Sequence, residues 1–417
     1  MALRSTGLTH DEALQALDHL KADDVRWREG RAFTLAYHGG DDVVALAEAA
    51  YQKFSGENAL NTEAFPSLRT IQAEVVDIAL GWLGAPSGAA GFMTSGGTES
   101  ILLAVKGSRE RGRKERNVTT PNIVLPTSAH AAFEKACYYF GVESRRIAVR
   151  DDWRADPDAM ADAIDEDTVL VVASAPQYPQ GVIDPVEAIA TIAADRGIGC
   201  HVDACMGGVI LPYLVRLGHD IPPWNFALDG VTSMSVDLHK FGYTAKGASV
   251  IAYRTKQLRS YQTYVTDNWL GGLYGSSGIL GTKSGGSMGA AWAVMNYLGD
   301  EGYLRLAQAA RRACDELVAG VQARPALALR ALPDTCLVTF GAAKGSSLDI
   351  YAVADALWVR GWFVDKQGPP PSLHLTVNAI HDGKIAQVLA DLDAAIAEVS
   401  AAASSEPTSA GSYGTVE

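Results

Sequence analysis

Cysteine is scarce in this chain: Cys137, Cys200, Cys205, Cys314 and Cys336 are all there are in 417 residues. An odd, scattered set cannot serve as a disulfide framework, and it points to a reducing compartment. Long apolar runs are missing as well. No stretch reaches the ~18 apolar residues that a bilayer-spanning helix needs, and the opening segment Met1–His10 lacks the apolar core of a signal peptide. A soluble, cytoplasmic protein with no transmembrane segment is therefore expected. Positive charge is in deficit, with 35 Lys and Arg against 48 Asp and Glu and a formal net charge of −13. Such a surface repels a polyanionic backbone, which argues against nucleic acid and anionic membranes as partners. There is no internal repeat, no Walker loop and no Gly-x-Gly-x-x-Gly fingerprint, so nucleotide cofactors are disfavoured. Cys200, His201, Asp203 and Cys205 stand close together, but no second cluster with ligand spacing accompanies them, and no metal is expected.

What is present is apolar material in quantity. At 48% hydrophobic content, the chain can bury a large core, and its length suits two lobes. Apolar runs alternate with amphipathic stretches, the pattern of an α/β fold with a mostly parallel sheet. Thr9 to Glu12 has the form of a capping box, opening a helix in which Leu14, Leu17 and Leu20 recur at helical spacing. Buried strands are expected at Ile123–Leu125, Thr168–Ala173, Gly199–Val202, Val231–Val236 and Ser249–Tyr253. From about Glu301 the texture becomes Ala/Leu-rich and helical, interrupted by the strand-like Thr335–Phe340 and Ser372–Val377. The expected organisation is an N-terminal helical arm over 1–57, a large unit over 58–300, and a smaller C-terminal α/β unit over 301–400. The Ser/Ala/Gly/Thr-rich end, 401–417, is expected to be disordered.

Three segments carry chemistry. In the first, Thr94-Ser95-Gly96-Gly97-Thr98-Glu99-Ser100, a strong helix former follows directly, so a helix begins at the glycines. Its unpaired N–H groups and dipole attract an anion such as phosphate. The plainer alternative is a glycine turn with Thr98 as an ordinary helix cap. The second segment, His201-Val202-Asp203-Ala204, ends an apolar strand at the sheet edge that open α/β folds use for binding. A carboxylate there can keep a pyridine nitrogen protonated, as pyridoxal phosphate requires, or it can simply cap a loop or pair with an arginine. The third, Ser235 to Tyr243, places Lys240 just past another strand. Buried beside His239 and aromatic neighbours, this lysine is expected to lose its proton and attack an aldehyde, whereas most lysines are merely solvated. Together the three segments point to pyridoxal 5′-phosphate held as a Schiff base on Lys240.

From about residue 30 to residue 395 the sequence resembles the sphingosine-1-phosphate lyase family, among the fold type I pyridoxal phosphate enzymes and related to glutamate and aromatic amino acid decarboxylases. The matching segments are Phe65–Arg69, Thr94–Leu102, Ser128–Phe133, Gly181–Pro185, His201–Gly208, Gly230–Gly247 and Pro370–Leu375. The resemblance implies a transferase-like large domain around a seven-stranded sheet flanked by helices, a smaller α/β domain, and a homodimer with shared active sites. It implies that His130 stacks on the cofactor ring, that Asp203 pairs with the ring nitrogen, and that Gly97, Thr98 and His239 hold the cofactor phosphate. Gly96 and Ser174 join the expected cofactor-binding set, and His201 joins Lys240 and Tyr37 in the catalytic set. The segment Gly281–Gly286, with Gly285 and Gly286, is implied to reach the neighbouring subunit's cofactor phosphate. Tyr37 and Lys246 match residues near the phosphorylated end of the substrate.

The sequence departs from the family at Asn61, where a histidine helps to bind the substrate phosphate, at Ala175 and Gln180, and at Lys283, where an arginine is usual. The last change removes a bidentate fork. The implied reaction is retro-aldol cleavage of a phosphorylated long-chain sphingoid base to a fatty aldehyde and phosphoethanolamine. Tyr37 or a substrate phosphate oxygen would take the β-hydroxyl proton, and Lys246, Tyr37 and Asn61 would face the substrate phosphate. An amino-acid decarboxylase, a β-hydroxy amino acid aldolase and a non-catalytic cofactor-binding protein are the alternatives.

Overall fold

A computed structural model of the chain describes residues 2–402. The expected disordered end lies outside these residues, apart from Ala401 and Ala402. Seven short strands form the main sheet: β1 (Ala90–Thr94), β2 (Asn122–Pro126), β3 (Glu143–Ile147), β4 (Thr168–Ser174), β5 (Gly199–Asp203), β6 (Ser233–Asp237) and β7 (Ser249–Tyr253). Their order across the sheet is β1-β7-β6-β5-β4-β2-β3. The run from β3 to β6 is parallel, and β7 and β1 close one edge antiparallel. Every residue of β2, β4, β5, β6 and β7 is buried. Strands covered by helices on both faces need unbroken apolar character, which is why those segments read as strands. The five expected strands of this sheet are present, with boundaries shifted by a residue or two.

Two strands of this sheet escaped the reading. β3 is Glu-Ser-Arg-Arg-Ile, four polar residues in five. It survives as an edge strand because its arginines are neutralised locally, Arg145 by Glu143 and Asp165 and Arg146 by Glu134. β1 carries a glycine and pairs only with β7, so its apolar signal is short.

A second, antiparallel sheet in the order β10-β11-β13-β12 is formed by β10 (Leu327–Leu329), β11 (Leu337–Ala342), β12 (Asp365–Gln367) and β13 (Ser372–Thr376). Helices Ile350–Val359 and Ile385–Ala401 belong to this region. Between the sheets a small hairpin, β8 (Tyr264–Thr266) with β9 (Tyr274–Ser276), precedes the long helix Gly285–Gln322, which kinks at Gly299 where φ is 53°. At the other end of the chain, α1 (His10–Leu20) opens on the expected capping box: Glu12 N–H donates to Thr9 Oγ1 and Thr9 N–H to Glu12 Oε2. No residue of α1 is buried. Helices α2 (Asp41–Lys53) and α3 (Pro66–Trp82) pack on the long helix, α4 (Gly97–Arg116) follows β1, and α5 (Ala132–Phe140) follows β2. Among the described residues no helix is long and apolar enough to cross a membrane.

Candidate active site

Where the parallel strands end, a chamber of about 600 Å³ opens, a size typical of ligand sites. β5 delivers Asp203 to it and β6 delivers Asp237, with His239 and Lys240 on the turn that follows. The first turn of α4 contributes Gly96, Gly97 and Thr98, the loop after β2 contributes His130, and the N-terminal segment contributes Thr34 and Tyr37. Five segments remote in sequence thus meet at the carboxyl edge of the sheet, as open α/β folds require.

Lys240 does not stand as an uncharged nucleophile. Asp237, missing from the residues expected in the site, places Oδ2 2.8 Å from Lys240 Nζ, and the lysine side chain is 21% exposed, toward the chamber. Burial works against the ammonium, but the Asp237 carboxylate outweighs it and holds Lys240 well above the ordinary lysine range. Burial likewise opposes the Asp237 charge, and the Lys240 ammonium prevails, bringing the carboxyl down to about 2. The expected deprotonated lysine is therefore corrected for the cofactor-free chain. The available signal was a carboxylate closing an otherwise uncharged buried strand, three residues before the lysine.

Asp203 accepts from Cys205 N–H (3.1 Å) and Ser235 Oγ (3.0 Å), both through Oδ1. The plain loop-capping reading is thus true of one oxygen, while the residue still lines the chamber. His201 is corrected more strongly. It is buried within β5, its ring nitrogens meeting Ser233 Oγ at 2.9 Å and Ser235 Oγ at 3.3 Å, and it is not among the residues lining the chamber. Period-two alternation puts residues 201 and 203 on the same face, but one pleat apart. His201 therefore reaches the site only through Ser235, which it shares with Asp203. Burial lowers it to about 4 and keeps it neutral. Ser174 ends β4 buried, its N–H donating to Asp184 Oδ2 at 2.8 Å, and does not line the chamber.

The glycines are there for close approach. A Cβ on Gly97 would lie 2.8 Å from Cys205 Sγ and 2.9 Å from Asp237 Oδ2, so only hydrogen fits there. Gly96 stands at the cap position of the 20-residue α4, and Thr98 lies inside the first turn instead of capping it. Glu99 ties this turn down by accepting from Ser95 N–H (2.6 Å) and Ile279 N–H (2.8 Å). Beside it, His239 Nδ1 and Asp237 Oδ1 are buried without hydrogen-bond partners. Unsatisfied polar atoms at a helix start, with an accessible lysine and a strand-end carboxylate, fit a phosphorylated pyridine aldehyde. Burial keeps His130, on the chamber wall, below the usual imidazole range.

At the outer side of the chamber, Lys246 Nζ donates to His239 O (3.1 Å) and sits 5.0 Å from the Tyr37 ring centroid. Lys246 also lines the chamber, and burial of its ammonium there, aided by the Lys240 charge, lowers it to about 8. Tyr178, also unassigned from sequence, donates to Asp365 Oδ2 (2.8 Å), which accepts from Thr34 Oγ1 as well (2.8 Å). This clasp joins the N-terminal segment, the loop after β4 and the second sheet at the chamber wall.

Asn61, Gly285 and Gly286 do not join Lys240. Asn61 caps its own exposed loop through Glu63 N–H. Ala59 N–H donates to Lys283 O (2.8 Å) and Gly285 N–H to Glu57 O (2.9 Å), so the two segments are bound to each other, outside their own chain's chamber. Gly286 packs against Tyr51, where a Cβ would come within 2.8 Å of the ring. Lys283 turns inward, donating to Met93 O (2.7 Å) over the Phe92 ring.

A seven-stranded, mostly parallel sheet with a lysine and two carboxylates at its carboxyl edge defines a pyridoxal phosphate enzyme. Residues 16–343 match the pyridoxal-dependent decarboxylase conserved domain, and the chain belongs to that family. It is 37% identical to a sphingosine-1-phosphate lyase of Arabidopsis thaliana over 398 residues, covering 94% of this chain and 72% of that one. The structure of a sphingosine-1-phosphate lyase from Burkholderia pseudomallei superposes with a TM-score of 0.91 at 36% identity, covering 96% of this chain and 93% of the other. A probable L-tyrosine/L-aspartate decarboxylase of Methanothermobacter thermautotrophicus is 32% identical over 84% of this chain and 93% of its own length. The cofactor is pyridoxal 5′-phosphate, and the protein is a lyase.

Proposed function

We propose that this enzyme cleaves the Cα–Cβ bond of a phosphorylated long-chain sphingoid base, releasing a fatty aldehyde and phosphoethanolamine. The observation that carries the reading is Lys246 beside Tyr37 in the chamber that holds Lys240 and Asp203. Among the described residues, Lys246 is the only lysine or arginine besides Lys240 lining that chamber, and as a compact cation it suits a phosphate.

In this reading Lys240 would carry the cofactor, Asp203 would keep its ring nitrogen protonated, His130 would support its ring, and Gly96, Gly97, Thr98 and His239 would hold its phosphate. Bound pyridoxal phosphate supplies the sink for the electron pair freed at Cα. The chain's own residues orient and move protons. Lys246 fixes the substrate phosphate, and the Tyr37 hydroxyl accepts the β-hydroxyl proton while passing its own to a substrate phosphate oxygen, so that the β-oxygen becomes the aldehyde carbonyl and Cα takes up a proton before phosphoethanolamine leaves. Ser235, shared between His201 and Asp203, keeps the carboxylate in place.

The homodimer belongs to the same reading, with Gly281–Gly286 of one subunit reaching the other's cofactor phosphate. Its support is that this segment and the Asn58–Asn61 loop lie together outside their own chamber, next to a hairpin exposing Trp269, Leu270 and Leu273. Division into 1–57, 58–300 and 301–400 is supported by the two separate sheets and the kink at Gly299. Five free cysteines favour the cytoplasm.

Purified holoenzyme given a phosphorylated sphingoid base should release an aldehyde, and no aldehyde at any pH overturns the proposal. The archaeal relative favours amino-acid decarboxylation as a second reading, and release of carbon dioxide from common amino acids would identify it. Borohydride reduction followed by peptide mapping should place the cofactor on Lys240 in either case.

A further inference from the structure

A second cavity, of about 560 Å³, adjoins the chamber and shares His130 and Tyr178 with it as a common wall. We infer that this annex is the subsite for the uncharged hydrocarbon tail of the substrate. The inference rests on the lyase reading and deepens it by assigning the two ends of the substrate to different compartments. The annex lies between the loops that follow β2, β3 and β4 and the turn from β12 to β13, Gln367–Pro369, so it is a cleft between the two sheets, where ligand sites commonly form.

Its chemistry differs from the chamber's. Neither Tyr37 nor Lys246 lines it. Its one lysine or arginine among the described residues, Arg146, is paired with Glu134 through Nε at 2.5 Å and donates through Nη1 to the carbonyls of Thr127 (3.2 Å) and Ala129 (3.1 Å). Its other long polar side chains are each held by a hydrogen bond. Gln180 accepts from Gln177 (2.9 Å), Gln367 donates to Pro179 O (2.6 Å), and Trp153 Nε1 donates to Arg330 O (2.8 Å). Ser128 is the exception, its hydroxyl buried without a partner. What remains toward the cavity is chiefly carbon, from Trp153, Val149, Pro179, Pro369 and Ala131. The annex's cation is already balanced by Glu134, whereas Lys246 in the chamber has no carboxylate within ion-pair distance among the described residues, so a phosphate favours the chamber and a hydrocarbon chain the annex. Each methylene buried in such a space strengthens binding by about fourfold. Substrate anchored by its phosphate at Lys246 and reacting at Lys240 would pass its tail between His130 and Tyr178.

The test is a chain-length series of phosphorylated 2-amino-1,3-diols given to wild-type holoenzyme and to Val149→Trp, with Thr127→Trp at the rim as a second variant. Folding and loading of each are verified by circular dichroism and cofactor absorbance. Wild-type kcat/KM should rise with chain length, whereas the variants should cleave the shortest substrate normally and lose at least tenfold on the longest. Calorimetric binding of aminoalkyl phosphates lacking the β-hydroxyl should show the same loss without any chemistry. Identical chain-length profiles in wild type and both folded variants, with short substrates still cleaved, would overturn the tail subsite and leave the lyase intact. Absence of aldehyde from every length would overturn both.

Discussion

Asp237 and Lys240 form an ion pair, Oδ2 to Nζ 2.8 Å, at the floor of the catalytic chamber. The carboxylate is 2% exposed, and its other oxygen has no partner. An amine must be uncharged to attack an aldehyde, so this pair opposes the first event of cofactor loading while ordering the lysine for it.

In Asp237→Asn the carboxylate that chiefly raises Lys240 is gone while burial, the largest influence, still lowers it, so the lysine falls toward or below its ordinary range. Cofactor-free variant should then take up pyridoxal phosphate faster at neutral pH, by roughly tenfold for each pKa unit regained. The growth of visible absorbance after mixing measures this. A rate and pH profile equal to wild type would show that the pair does not govern loading.

Replacing Tyr37 with Phe removes one oxygen and leaves the ring beneath Lys246. If that oxygen takes the substrate proton, kcat should fall by about 10²–10⁴ with the cofactor spectrum unchanged. A fall confined to KM would assign Tyr37 to binding alone.

Lys246, lowered to about 8 by its surroundings, holds a phosphate only while protonated. KM for a phosphorylated substrate should therefore be lowest below pH 8 and climb above it. Lys246→Ala should raise KM at neutral pH by roughly ten- to a hundredfold and abolish the climb. An unphosphorylated analogue should respond to neither change, and equal effects on both substrates would remove Lys246 from the phosphate site.

Burial depresses three enclosed histidines, His201 and His374 to about 4 and His381 to about 3. Each is neutral in the fold but charged in the unfolded chain once the pH drops below its ordinary value of 6.5. The unfolded state then binds more protons, so stability is complete above that value. It declines as the pH falls toward about 4, by up to about 1.4 kcal/mol per pH unit for each histidine. His374 stacks on Tyr178 at 4.1 Å, and His374→Phe keeps a ring there while removing one titration. Denaturant unfolding should show the variant losing about 2 kcal/mol less than wild type between pH 7 and pH 4.5. Equal losses would mean that His374 is not a source of acid sensitivity.

The central strands were legible because burial on both faces favours runs of apolar residues, with the few polar ones paired internally, and the motifs at Gly96–Thr98, Asp203 and Lys240 were legible because each stands at or just past the end of such a strand. Edge strand β3 was not, since its stability comes from ion pairs with residues up to 20 positions away. His201 illustrates a limit of motif reading: it stands two residues before Asp203, yet one pleat of strand separates a lining residue from a buried one. Asp237 was in plain view, but its role depends on how the turn after β6 folds Lys240 Nζ back to within 2.8 Å of its carboxylate. The Tyr178–Asp365–Thr34 clasp spans 331 residues of sequence, and no local pattern announces it.

Leu14, Leu17 and Leu20 of α1 are 50%, 55% and 78% exposed. A single helix of 11 residues holds its shape poorly in water unless something lies along its greasy side. In the homodimer proposed above a partner subunit would lie along that side, so on serial dilution His10–Leu20 should fray and become open to proteases well before the strands or the chamber loosen.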